Sequence, residues 1–181
     1  MGTRPAPSTA IFCLVTGGLM LLMWSFLIGT GRVTGIDEQL VSFIFHWLAE
    51  FTTALLLILS GILVYRHNPL MPPILPLSLG LLLNAVHGMF WYYTLRTEYV
   101  MAIPGAVLTG MTLIYIFLNL KSMKAWLMLL LGLIDYGGLN IFGNALNDGD
   151  LNTVIYLSPA LLAAIVLTIV LAKKWRAGTV F

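Results

Sequence analysis

What most constrains this chain is a row of six apolar runs, each about as long as a bilayer is thick. A helix needs roughly 20 predominantly apolar residues to cross the hydrocarbon core. Such runs occupy 8–30, 40–65, 73–95, 99–120, 125–147 and 153–172, with short connections between them. Charged residues make up 9% of the chain and hydrophobic ones 60%, against about 25% and 45–50% in a soluble domain. The mean hydropathy is +0.97. These features predict an all-α integral membrane protein, a six-transmembrane-helix bundle forming one domain over residues 1–181. They exclude a soluble enzyme and a disordered regulator. The few, scattered basic residues exclude a nucleic-acid binder. The single cysteine, Cys13, excludes a disulfide framework, a CxxC redox pair and a cysteine-based zinc site.

Charge placement gives the bundle an orientation. With six spans, Arg4, Arg66, Lys121, Lys124, Lys173, Lys174 and Arg176 fall on one side, without an acidic residue. Arg32 and Arg96 fall on the other, together with Asp37, Glu38, Glu98, Asp148 and Asp150. The excess of Lys and Arg marks the cytoplasmic side, so both termini are predicted to be cytoplasmic, in a multi-pass protein of the cell membrane. The apolar run from Ala10 to Ile28 is longer than a signal-peptide core and lacks a following A-x-A site, so an uncleaved first helix is expected. Trp91, Tyr92, Tyr93 and Tyr99 fall at the outer boundary, and Trp126 and Trp175 at the inner one, as an aromatic belt requires. The Asp148-Gly149-Asp150 connection reads as a turn rather than a cation loop, because two carboxylates are too few ligands.

The polar residues inside the spans are unevenly shared. The first, fourth and sixth spans have no ionisable residue in their interiors. The second, third and fifth contain His46, Glu50, Asn84, His87, Asp135, Asn140 and Asn144. An ionisable group at a bilayer centre costs roughly 2.5–3.5 kcal/mol even on a lenient insertion scale, so these helices are expected to turn their polar faces to one another. His46 and Glu50 are four apart and share a face, continued by Thr53 and Ser60. Gly80, Asn84, His87, Gly88 and Trp91 share a face of the third span. Glu50, Asn84 and Asp135 lie at similar depth, with His46, His87 and Asn140 a turn or more nearer the outside. Glu50 is expected near Asn84 or His87. On an ideal helix Asp135 points roughly 140° away from Asn140. Either Asp135 faces another partner, or a break at Gly137-Gly138 brings the two together.

Three readings fit this cluster. In the first, the chain is a small transport protein with an outward-opening pocket of His46, Glu50, Asn84, His87, Asp135 and Asn140 that binds a small solute or cation, with protons relayed through the imidazoles. In the second, His46, Glu50, His87 and Asp135 hold a divalent metal such as zinc, or iron, in a membrane enzyme, or His46 and His87 are axial ligands of haem b in a redox subunit. In the third, the chain is a substrate-binding or accessory subunit with a membrane partner, or forms a homo-oligomer. In layout it resembles the substrate-capturing components of energy-coupling-factor transporters, which dock through small residues at every fourth position of the first helix. The first span here offers only Gly17-Gly18, whereas Ala160 and Ala164 of the sixth have that spacing. The lipid bilayer is a partner on every reading. No G-x-x-x-x-G-K-[ST] loop is present, so ATP hydrolysis by that route is excluded.

Overall fold

The computed structural model describes residues 7–31 and 39–176. Arg4, Arg32, Asp37 and Glu38, which enter the charge partition, lie outside the described residues. The described residues form six helices and no strand: α1 (Pro7–Gly29), α2 (Leu40–Tyr65), α3 (Met71–Leu95), α4 (Tyr99–Asn119), α5 (Met123–Asn147) and α6 (Leu151–Arg176). All six are long and apolar enough to cross a membrane. They follow the apolar runs to within a few residues. The largest difference is at α6, which continues to Arg176 and takes Lys173, Lys174 and Trp175 into its last turns.

Helix ends explain why the turns fall where they do. After α2 the backbone of His67 enters the left-handed region (φ 50°), and Asn68 N–H returns to the Leu63 carbonyl at 3.0 Å. After α5, Gly149 does the same (φ 71°), and Asp150 N–H reaches the Ala145 carbonyl at 2.9 Å. These closing bonds satisfy carbonyls that a helix terminus leaves open. Asp150 then caps α6, accepting the Thr153 hydroxyl at 2.6 Å and the Thr153 N–H at 3.2 Å. Those two bonds hold the Asp150 carboxyl below its usual range. The Asp148–Asp150 segment is thus a turn.

The three helices with polar interiors are the central ones: α2, α3 and α5 pack on one another, α1 lies on α2, α4 on α3, and α6 on α5. The outer helices also meet. Phe12 of α1 stacks on Tyr115 of α4 with ring centroids 4.3 Å apart, and Thr9 and Asn119 exchange hydrogen bonds beside them. The α3–α5 crossing is the tightest. A Cβ on Gly80 would strike the Leu129 carbonyl, and one on Gly132 the Leu77 carbonyl. Small residues let backbones approach this closely. Gly88, on the same stripe of α3, has nothing within 4 Å of where its Cβ would be, so the close backbone approach at Gly80 does not extend to it.

A side chain at Gly80 must therefore push α3 off α5, whereas one at Gly88 enters open space. Gly80→Val should lower the stability of the detergent-purified protein by about 1–3 kcal/mol or more, the cost of overpacking. Gly88→Val should leave it nearly unchanged. Thermal unfolding of the two variants side by side checks this.

Candidate functional site

Between α2 and α5 the polar side chains form a ladder. On α2, Ser42, His46 and Glu50 are spaced by four residues; on the antiparallel α5, Asn144, Asn140 and Tyr136 are spaced the same way. Equal spacing on antiparallel helices keeps every rung in register. Ser42 Oγ donates to Asn144 Oδ1. His46 Nδ1 and Asn140 Oδ1 are 2.8 Å apart. The Tyr136 hydroxyl donates to Glu50 Oε1 at 2.5 Å. At about 1.5 Å of rise per residue the three rungs span roughly 12 Å. Burial deepens along them: Asn144 is exposed, His46 and Asn140 are half-buried, and Glu50 and Tyr136 are 8% and 5% exposed. Gly143, beside the first rung, allows the approach, since a Cβ there would lie 2.6 Å from the Phe45 Cβ.

The middle rung sets the protonation pattern of His46. The Asn140 side chain donates through Nδ2 to the Tyr136 carbonyl at 2.9 Å, which leaves Oδ1 facing the imidazole. Oδ1 can only accept, so His46 donates at Nδ1 and a neutral ring keeps its lone pair on Nε2. Trp24 of α1 lies edge-on to this ring, centroids 6.0 Å apart. A carboxamide does not titrate. Asn140 therefore orients His46 instead of passing its proton, and the ladder is a set of held groups rather than an unbroken proton wire.

Among the described residues Glu50 has no counter-charge. Among the described residues its one hydrogen-bond partner is Tyr136, and no Lys, Arg or His nitrogen lies within ion-pair distance. Beyond Glu50 the polar stripe of α2 fades. Thr53 returns its hydroxyl to the Ala49 carbonyl at 2.8 Å, Leu57 is fully buried, and Ser60 pairs with Ser78 of α3 at 2.9 Å. The α2 face is polar from its start to its middle and mostly apolar beyond.

The other expected site residues go elsewhere. Asn84 donates to the Leu133 carbonyl of α5 at 2.8 Å, tying α3 to α5 rather than to Glu50. His87 is exposed and accepts from Trp91 Nε1, one turn along its own helix, at 2.9 Å. Asp135 turns away from the ladder. α5 is unbroken through Gly137-Gly138, so the break that would join Asp135 to Asn140 is absent, and the carboxylate faces α6. There Asp135 Oδ2 accepts the Thr168 hydroxyl at 3.0 Å, while Oδ1 is buried without a partner among the described residues. The metal reading needs correcting for this reason. His46, Glu50, His87 and Asp135 are not gathered, and the described residues contain no group of three or more His, Cys, Asp or Glu side chains able to hold a metal ion. The paired-histidine haem reading meets the same obstacle, since His46 lies in the seam beside α1 and α5 while His87 is on the exposed surface of α3. Tyr136 and Ser42 enter the ladder without having been singled out in the sequence. Their signal was the spacing of four from Asn140 and from His46.

Residues 5–128 match the family described as a domain of unknown function, DUF8058, and the chain belongs to that family. The match takes in His46, Glu50, Asn84 and His87; Asp135, Tyr136 and Asn140 lie beyond it. No curated protein and no solved structure matches the chain.

Because Glu50 and Tyr136 share a buried bond, a double-mutant cycle of Glu50→Gln and Tyr136→Phe should give a coupling energy of about 0.5–2 kcal/mol in detergent unfolding, the range of interhelical hydrogen bonds in membrane proteins. The cycle of Glu50→Gln with His87→Ala should give none.

Proposed function

We propose that this chain is a multi-pass protein of the cell membrane, with both termini in the cytoplasm, and that it transports protons, alone or in exchange for a small cation, through the seam between α2 and α5. Insertion is supported by the six helices of 21 to 26 residues, each long enough to span about 30 Å of hydrocarbon. Orientation is supported by the excess of basic residues at one end of the bundle.

The observation that carries the transport reading is Glu50, buried at the middle of its helix against a tyrosine hydroxyl and no cation. A lone carboxyl in such a place is suited to bind a proton or a small cation and to exchange one for the other when the seam admits water. Tyr136 fixes the carboxyl by donating to one oxygen, which leaves the other to exchange. His46, one turn nearer the acidic end of the bundle, takes up protons at Nε2 while Asn140 holds its Nδ1. Ser42 and Asn144 stand at the mouth. Leu57 and the leucines packed with it, Leu79 and Leu82, close the other half. This arrangement serves a protein that loads from the outer side and must rearrange to release inward.

Reconstitution tests the reading. In vesicles with a pH-sensitive dye inside, the protein should dissipate an imposed pH gradient faster than empty vesicles. Glu50→Gln should return the rate to that of empty vesicles, and Tyr136→Phe should slow it several-fold. If the protein is no faster than its Glu50→Gln variant, the reading fails. Orientation is checked separately. In a Cys13→Ser background, a cysteine at Asp150 should be labelled only from outside the cell and one at Lys173 only from the cytoplasmic side.

A further inference from the structure

Asp135 is the central residue of the 25 in α5, and it faces α6 rather than the ladder. Neighbouring residues of a helix point about 100° apart, so the rotation that gives Tyr136 to Glu50 carries Asp135 to another flank. The two helices are close beside it, since a Cβ on Gly138 would lie 2.8 Å from Leu161 Cδ1. Leu131 and Leu139, one turn to either side of Asp135, belong to an apolar cluster with Leu81 of α3 and Leu171 of α6. In these surroundings Asp135 Oδ1 is buried and has no hydrogen-bond partner among the described residues. Oδ2 meets the hydroxyl of Thr168, a residue only 8% exposed.

That hydroxyl limits the supply of hydrogens. Thr168 Oγ1 lies 3.0 Å from Asp135 Oδ2 and also 3.0 Å from the Ala164 carbonyl, one turn back along its own helix. A hydroxyl has one hydrogen to donate and two lone pairs to accept with. The Ala164 carbonyl can only accept, and so can an ionised Asp135. One hydrogen would then serve two acceptors, while Oδ1 had none. A proton on Oδ2 reverses the first bond and removes the conflict. The carboxyl donates to Thr168 Oγ1, and Thr168 keeps its own hydrogen for Ala164. Oδ1 becomes the carbonyl oxygen of a neutral acid, for which a missing donor costs less than for a carboxylate. A proton also needs no cavity, so the close packing of α5 on α6 is no obstacle to it.

We propose that Asp135 is a separate proton-binding site, a neutral carboxyl that donates to Thr168 and ties α5 to α6 through its proton. Ionisable side chains within membrane helices mark proton and ion sites by default. This one goes beyond the function proposed above. It shares the insertion of the bundle with that reading, but uses neither Glu50 nor the α2–α5 seam, so each stands or falls by its own measurement.

The test is infrared spectroscopy of the full-length protein at neutral pH, in a detergent without ester groups. The carbonyl stretch of a protonated carboxyl stands apart from the bands of amides and carboxylates. Such a band should be lost in Asp135→Asn and kept in Glu50→Gln. In Thr168→Val it should move to higher frequency, because the carboxyl keeps its proton and loses its acceptor. Wild-type protein made by cell-free synthesis with aspartate carrying a heavy carbon isotope in its carboxyl should show the same band shifted to lower frequency. That measurement needs no variant and keeps the test decisive if Asp135→Asn fails to fold. Labelled wild-type protein without a protonated aspartate band would overturn the proposal. So would an aspartate band that survives Asp135→Asn, or one that Thr168→Val leaves in place. Loss of the band on adding sodium at constant pH would show a cation site instead, and overturns it too.

Discussion

An apolar bundle offers no water to the polar side chains within it, so most of them are paired with a neighbouring helix or with their own backbone, Asp135 Oδ1 and the Trp24 and Trp47 indole N–H groups being the buried exceptions among the described residues. The packing of this protein depends on that constraint. Ser60 meets Ser78 between α2 and α3, Asn84 meets a carbonyl of α5, Thr168 meets Asp135, and Thr9 meets Asn119. The α2–α5 ladder is the longest such contact and the only one of these to bury a carboxyl as deeply as Glu50. Apolar contacts between the helices are tolerant of rotation. The hydrogen bonds are not, and they fix which face of each helix turns inward.

The spans were legible because length and hydropathy are properties of one helix at a time. α2 runs over the residues its apolar run predicts, α3 and α5 end and α4 starts where expected, and the remaining ends differ by one to four residues. The grouping of α2, α3 and α5 was legible for a related reason. Polar residues in an apolar run must be hidden, and three helices that each have something to hide pack together.

The partners were less legible, since they depend on how each helix is rotated against its neighbours. His46 and Glu50 could be placed on one face from spacing, yet nothing in α2 says whether that face meets α3 or α5. An aromatic ring in an apolar run usually serves as filler, so the Tyr136 hydroxyl becomes informative only beside Glu50. Asp135 shares the depth of Glu50 and Asn84 but not their direction. Its angle already pointed away, and an unbroken α5 keeps it there. His87 shared a stripe with Asn84, but that stripe winds around α3 and leaves the imidazole on the exposed side.

The four-residue repeat of the ladder makes it a vernier with more than one stop. If α5 slid one helical turn along α2, about 5.4 Å, His46 would come opposite Asn144 and Glu50 opposite Asn140. Both new pairs would again match a donor with an acceptor. Ser42 and Tyr136, at the two ends, would lose their partners. A half-turn slide has no such match, because it leaves each rung's side chain midway between two candidates on the other helix. The seam thus has discrete settings rather than a continuum, and moving between them changes the neighbour of Glu50 from a phenol to an amide. Helices that ratchet by whole turns are one means by which packed proteins switch state. Here the two settings would differ at the buried carboxyl of Glu50.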